Sequence, residues 1–367
     1  MSKLHDISII GLGACGNHIV ELASKEGFVT TAVNSTEEDT QLLTEVDNVI
    51  LIGQEGCGKI KKNGTKLVKQ GIGKYTEGII NATESSDTIV VTAGLGGGTG
   101  AGTIAITADL LRSQTKKKVL VFGIVPSNSE DIRALRNAID TCKELDTLNI
   151  PYALIDNGRY NGSIMNAFDE INESIVEDIK VIRGDYNNPT IYGNIDVKDS
   201  NQLFSVPGLF SINKISGFNS TTFDTDTFDS LIIKSIKNSY NVQIQKDKVI
   251  KRIGLILTVT EDMLNKFDRN IPAVKKEIGI PMETFLHVNV VENERECSII
   301  TILSGLSMPD SRLQEMFEII ESSKESVIKK SESQVASMNN SLDWFDDDDE
   351  EEDDEPTISL DDIANRY

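Results

Sequence analysis

The chain has 367 residues, enough for about two domains at roughly 150 residues each, and at 39% hydrophobic it can fill sizeable cores. Its net charge is −22, of which −12 falls on residues 341–367 and −10 on the rest. That balance argues against direct nucleic-acid binding by field alone, because phosphate backbones are repelled. One small phosphate ligand held by backbone N–H groups stays open, since it needs no basic side chain. The cysteines (Cys15, Cys57, Cys142, Cys297) are widely separated, as are the histidines (His5, His18, His287). This spacing fits neither a zinc site nor a disulfide framework, and a histidine-built metal centre or triad is not expected. No apolar run approaches ~18 residues and no signal pattern opens the chain. The expectation is a soluble cytoplasmic protein with no membrane partner.

Asp6–Ile10 reads as a buried strand running into Gly11-Leu-Gly-Ala-Cys-Gly16, with a helix over 17–25. Strands follow at 28–34 and 49–53, and 58–78 reads as an irregular loop plus helix. Thr88–Thr92 is a strand that enters Ala93-Gly-Leu-Gly-Gly-Gly-Thr-Gly-Ala-Gly102, after which 103–113 is helical. A strand at 119–125, a helix over 129–145 and a strand at 152–155 continue the alternation, which predicts a parallel sheet covered on both faces. From 161 to 183, Ile164, Phe168, Ile171, Ile175, Ile179 and Ile182 recur at helical spacing, so one apolar stripe runs along a long helix. Beyond a Gly/Pro/Asn/Asp-rich stretch, β character returns at 209–215, 253–260, 285–291 and 297–304, and a helix runs from 308 to about 337. Ten consecutive acids, Asp346–Glu355, predict a disordered tail.

Gly11-x-Gly13-x-x-Gly16 fits a dinucleotide loop, but the acid expected at the end of the second strand is replaced by Asn34. The second loop, with Gly94, Gly96, Gly97, Gly98, Gly100 and Gly102, follows a strand and opens a helix, so its N–H groups and the helix dipole converge on an anion. It lacks the lysine of a Walker loop, having Thr103 there. Two glycine loops on neighbouring βα turns point to a polyphosphate held from two sides. The competing reading is tight helix–strand packing. On the ligand reading, a side chain at Gly98 would exclude phosphate and, were φ positive, strain the backbone.

These residues resemble the tubulin/FtsZ superfamily of polymerising GTPases. Gly96-Gly-Gly-Thr-Gly-Ala-Gly102 is similar to its GGGTGTG signature, departing at Ala101. Ala14-Cys15-Gly16-Asn17 resembles the tubulin first loop, and Ala32-Val-Asn34 the second. Pro126 with Glu130 resembles the loop whose Glu holds the ribose, and Ile155-Asp-Asn157 one that meets guanine. Ala167-Phe-Asp-Glu-Ile-Asn172 resembles the central helix, in which the Phe stacks on guanine and the Asn reads its edge. Phe168 and Asn172 share a helix face. The resemblance implies GTP/GDP with Mg²⁺ as ligand, and Gly11, Gly13, Ala14, Cys15, Gly16, Asn17, Asn34, Gly94, Gly96, Gly97, Gly98, Thr99, Gly100, Glu130, Asn157, Phe168 and Asn172 as its contacts.

Asn194-Ile-Asp196-Val-Lys-Asp199 resembles the synergy loop, which completes the nucleotide site of the next subunit and places the attacking water and the cation. It implies a head-to-tail homopolymer with hydrolysis completed in trans by Asp199, supported by Asp196 and Asn194. The chain's ends and 53–78 differ from division proteins, and the long last helix and charged tail favour the plasmid and phage TubZ type, which segregates DNA. A phage-spindle or cell-division filament is the alternative, and a non-polymerising nucleotide-binding protein stands behind both. The acidic body implies a basic DNA-binding adaptor rather than direct DNA contact. The expected fold is α/β. A Rossmann-like parallel-sheet GTPase domain with the long central helix occupies 1–183, and a smaller α+β domain 184–308, with the synergy loop at 193–200. A C-terminal helix follows at 309–340, and the tail at 341–367.

Overall fold

The computed structural model describes residues 4–160, 164–186, 192–221, 223, 225–246, 249–267 and 271–335. The acid run and Trp344 lie outside them. The first half alternates strands and helices, with β2–β3 and α2–α3 as consecutive pairs: β1 (Ile7–Leu12), α1 (Gly13–Lys25), β2 (Val29–Asn34), β3 (Asn48–Leu51), α2 (Lys61–Gln70), α3 (Ile72–Ala82), β4 (Thr88–Gly94), α4 (Gly98–Gln114), β5 (Lys118–Val125), α5 (Ile132–Thr147), β6 (Pro151–Asp156) and α6 (Ile164–Arg183). Then come α7 (Val197–Leu203), β7 (Gly208–Ser216), α8 (Thr225–Asn238), β8 (Val249–Val259), α9 (Glu261–Leu264), α10 (Pro272–Glu277), β9 (Ile280–Val290), β10 (Ser298–Leu306) and α11 (Asp310–Val335).

The strands form one sheet in the order β3-β2-β1-β4-β5-β6-β7-β10-β8-β9. The order doubles back on itself at β1, whose neighbours are β2 and β4, both parallel to it. This is the reversal point beside which α/β sheets bind ligands. β7 joins β6 through only two parallel pairs, Pro151–Gly208 and Tyr152–Leu209. β10 then runs antiparallel to both β7 and β8, and β9 is parallel to β8.

Side chains alternate across the sheet as the strand period requires. Ile7, Ile9, Val90, Leu120, Phe122 and Ile155 share one core with α1 and α6; Ile10, Ile89, Val91, Val121 and Leu154 share the other with α4 and α5. On α6, Ile171, Ile175, Ile179 and Ile182 are buried as the stripe predicts. Phe168 departs from it: although on the stripe, it is 55% exposed. The far end of α6 is anchored where β1 and β2 begin. Arg183 accepts from the Leu4 N–H (2.9 Å), donates Nη1 to Glu26 O (2.9 Å), and lies 4.0 Å over the Phe28 ring.

The predicted strands are all present, and 58–78 holds two helices, α2 and α3, in place of a loop and one helix. Both glycine-loop helices start earlier than expected, at Gly13 and Gly98, inside the loops. Glycine is a poor helix former, but here close packing of helix on strand decides where the helix begins.

Candidate nucleotide site

The C-terminal ends of β1, β2, β4, β5 and β6 bring the predicted loops together. Neither α1 nor α4 has a side-chain N-cap, so their first N–H groups are open to a ligand. The two helix starts touch: an added Cβ on Gly13 (φ +68°) would lie 3.0 Å from Gly100 N, and one on Gly94 3.0 Å from Cys15 Cβ.

The glycines divide by role. A Cβ at Gly11 would fall 2.1 Å from Gly16 O, and one at Gly16 2.5 Å from Thr92 O. These two permit α1 to pack on β1 and β4, as the packing reading held. Gly98 would meet Cys57 Cβ at 2.7 Å and Ile60 N at 2.9 Å. Its φ is not positive, so it answers to the segment before α2 rather than to strain. Gly97 is the open one, exposed with nothing within 4 Å of an added Cβ.

Side chains lock this cradle. Asn17 is buried, and in the amide orientation that satisfies both ends it donates to the carbonyls of Gly11 (3.1 Å), Gly13 (3.2 Å) and Val33 (3.2 Å) and accepts from Asn34 Nδ2 (3.0 Å). Asn34 Oδ1 accepts from Ser35 N (2.7 Å), and the Ser35 hydroxyl lies 3.0 Å from Thr99 Oγ1. Asn17 and Asn34 thus tie the first two loops together instead of projecting into the cleft. Asn137 of α5 donates to Gly96 O (3.0 Å) and Lys59 O (2.9 Å), and Thr65 of α2 donates to Gly102 O (2.7 Å). The sequence reading missed Ser35, Asn137 and Thr65. Among the described residues no group of three or more His, Cys, Asp or Glu could hold a metal ion.

Glu130 is exposed and accepts from Ser127 N (3.0 Å). Burial, and then the Glu130 charge, push the Cys15 thiol up to about 12, so Cys15 is no reactive thiolate. The loop after β5 packs against the second glycine loop, where an added Cβ on Gly96 would stand 3.5 Å from Pro126 Cβ. Asn157 opens a 3₁₀ turn at the end of β6, and its Oδ1 is buried with no protein hydrogen-bond partner. A buried acceptor left unpaired is costly, and a ligand donor would satisfy it. On α6, Asn172 is 6% exposed while Phe168 stands open; an aromatic face lying in solvent beside a buried amide suits stacking on a base and reading its edge.

The loop after β6 is tied to the last helix. Arg312 of α11 lies 2.8 Å from Asp156 Oδ2 through Nε and donates Nη2 to Pro126 O (2.9 Å). A cavity of about 400 Å³ lies beside it, lined by Asn128, Arg159, Gln243 and Glu315 among others.

The acidic loop is at the opposite end. Asp196 caps α7, its Oδ1 accepting from Lys198 N (2.7 Å) and Asp199 N (2.9 Å), while Asp199 Oδ2 accepts from Asp196 N (3.2 Å). Asn194 and Asp196 are exposed and Asp199 half-buried. α6, with 20 residues, separates the two ends by about 30 Å at 1.5 Å per residue.

Two uncapped helix starts meeting beside the sheet's reversal point suit the binding of a phosphate-bearing nucleotide. Residues 6–164 match the description "Tubulin/FtsZ family, GTPase domain". The tubulin-like protein CetZ of Pyrococcus horikoshii is 26% identical over 314 residues, 81% of this chain and 85% of that protein. The cell division protein FtsZ 2 of Haloferax volcanii is 27% identical over 214 residues, 55% and 52% of the two chains. The GTPγS-form protofilament of Bacillus thuringiensis serovar israelensis TubZ shares the fold, with a TM-score of 0.74 and 18% identity over 90% of this chain and 95% of that one. No helix among the described residues is long and apolar enough to cross a membrane.

Proposed function

We propose that the chain binds GTP, assembles head to tail into filaments in a bacterial host's cytoplasm, and hydrolyses GTP at each junction, with the Asp199 loop of one subunit acting on the nucleotide of the next. The observation that carries this is the ~30 Å helix α6 between the glycine loops and the acids: a subunit cannot bring its own Asp199 to its own phosphates. A contact joining unlike ends repeats without closing and makes a filament. The protofilament form of the TubZ neighbour supports it. The α- to γ-phosphates lie on the N–H groups from Gly11–Gly16 and Gly96–Gly100. Phe168 stacks on guanine, Asn157 and Asn172 read its edge, and Glu130 meets the ribose. The Ser35 and Thr99 hydroxyls, 3.0 Å apart, would help hold a phosphate-bound Mg²⁺, which would supply charge neutralisation on the phosphates. Positioning and charge stabilisation dominate phosphoryl transfer, so Asp199, with Asp196 and Asn194 beside it, orients the attacking water.

The filament serves plasmid or phage DNA segregation through a basic adaptor that docks on the acidic residues beyond Ser341, which carry −12. The relative named cell division protein FtsZ 2 favours a second reading, a cell-division filament. Negative-stain microscopy of the full chain with GTP, GDP and ATP tests assembly: filaments with GTP alone are expected, and equal assembly with ATP refutes base reading by Asn157 and Asn172. Deleting residues after Asn340 and measuring DNA-adaptor capture separates the two biological readings; unchanged capture refutes tail docking.

A further inference from the structure

The segment that carries the acids is gripped on both sides by a buried imidazole. Before it, Gly193 O accepts from Val288 N (3.1 Å), laying the segment along β9, and the Ile195 N–H donates to His287 Nδ1 (3.2 Å). His287 is fully buried in a strand whose neighbouring residues are Leu286 and Val288. Its Nε2 lies 3.2 Å from Asn289 Oδ1, and Tyr186 packs edge-on at 5.0 Å. A ring nitrogen that accepts from a backbone N–H carries no proton, so the proton is on Nε2 and is donated to Asn289. After the acids, the buried Ser200 hydroxyl lies 3.0 Å from Nε2 of buried His5, whose Nδ1 faces Asp87 at 3.3 Å. Burial lowers the pKa of both rings and keeps them neutral. A buried polar ring is costly unless its hydrogen bonds are made; at position 287 the bond made is to the residue directly before Asp196.

We propose that His287 is a positioning residue for GTP hydrolysis, holding the Asp196–Asp199 acids at the geometry the neighbouring subunit's nucleotide requires, with His5 as the second anchor. This rests on the trans-acting role of Asp199. The ring touches no nucleotide, and it acts by fixing where the capping box of α7 sits. A displacement of about 1 Å in such a group can lower turnover about 100-fold without altering substrate binding.

The test uses the full chain and four variants: His287→Leu, His287→Gln, Asn289→Leu and Asp199→Ala. GTP affinity, pelleting with a slowly hydrolysed GTP analogue, and phosphate release per assembled subunit are measured together. His287→Leu is expected to bind GTP and pellet like the unaltered chain while kcat falls about 10- to 100-fold at unchanged half-saturating GTP. His287→Gln, whose Oε1 can still accept from Ile195, recovers most of that loss. Full turnover in assembled His287→Leu, or failure of His287→Gln to recover it, overturns the proposal. Should His287→Leu not fold, Asn289→Leu decides, since it frees the ring's Nε2 and must also lower kcat; unchanged kcat there overturns the proposal. Full turnover in Asp199→Ala instead refutes the trans-acid reading itself. A slow Asp199→Ala beside a fast His287→Leu refutes only the role of His287.

Discussion

Arg312 and Asp156 form an ion pair with both side chains almost wholly buried, Nε to Oδ2 at 2.8 Å, 156 residues apart in the chain. The same guanidinium holds Pro126 O, and Asp156 Oδ1 holds Gly158 N (2.9 Å). One side chain of α11 therefore fixes the loops after β5 and β6, which carry Glu130 and Asn157. Removing one partner of such a pair strands a buried charge and costs about 3–5 kcal/mol. Arg312→Met is expected to lose stability of that order in urea titration, and the double variant Arg312→Met with Asp156→Leu to recover much of it. Equal stability of Arg312→Met and the unaltered chain would show the pair to be dispensable.

The open glycine and the packed one predict opposite outcomes. Gly97 is extended (φ −82°, ψ 172°) with space around an added Cβ, so valine there should change stability by no more than about 0.5 kcal/mol. If the phosphates lie on that side, GTP affinity falls about tenfold or more, near 1.4 kcal/mol. Gly98→Val drives a side chain into Cys57 and the Ile60 backbone, so it should lower the melting temperature first and weaken binding as a consequence. Titration with a fluorescent GTP analogue, paired with thermal melts, separates the two; unchanged affinity in Gly97→Val sinks the cradle assignment.

Phe168 predicts a loss of binding without a loss of fold. At 55% exposure it contributes little to the core, so Phe168→Ala should leave the melt nearly unchanged. Base–aromatic stacking is worth roughly 1–3 kcal/mol by alanine substitution, and GTP and GDP affinity should both fall by that amount. Asn172, buried at 6%, predicts differently: Asn172→Asp replaces a donor–acceptor amide with an acceptor alone and should weaken guanine binding more than it weakens the triphosphate contacts. Unchanged affinities in both variants would remove the base from this part of α6.

What could be read in advance follows period and composition. The strands of the parallel half are short apolar runs bounded by glycine or polar turns, and β1, β4 and β6 emerged where those runs lie. The glycine loops were legible because six glycines in nine residues have few uses. α8 went unread because its apolar residues, Phe228, Leu231, Ile232 and Ile236, sit in a Ser/Thr/Asp-rich stretch that reads as loop. Asn137 and Arg312 were invisible for another reason. Each holds a loop 41 to 186 residues away, and neither breaks the pattern of its own helix. Asn17 shows the converse: its motif position was legible, but not that its amide is used up on backbone carbonyls.

Asp178 predicts how stability varies with acid. It lies on α6, buried, 3.2 Å from Lys214 of β7, and burial pushes its pKa up from the ordinary carboxylate value to about 6, with Lys214 pulling only partly the other way. The folded value is therefore above the unfolded one, the reverse of a stabilised carboxylate. The fold binds this proton more tightly than the unfolded chain does, so the group's favourable contribution is complete below pH ~4 and is lost as pH rises through about 6. At neutral pH the charged form is a burden that α6 carries. Asp178→Asn keeps the shape and removes the ionisation. Urea titrations at several pH values between 4 and 7 should find it at least as stable as the unaltered chain at pH 7, with the advantage shrinking toward pH 4. The loss of the Lys214 contact works against this, but Lys214 is one-third exposed and keeps water, so that loss is small. If Asp178→Asn is instead less stable at pH 7 and the deficit narrows on acidification, the Lys214 ion pair outweighs burial and the carboxylate stabilises the helix as a charge.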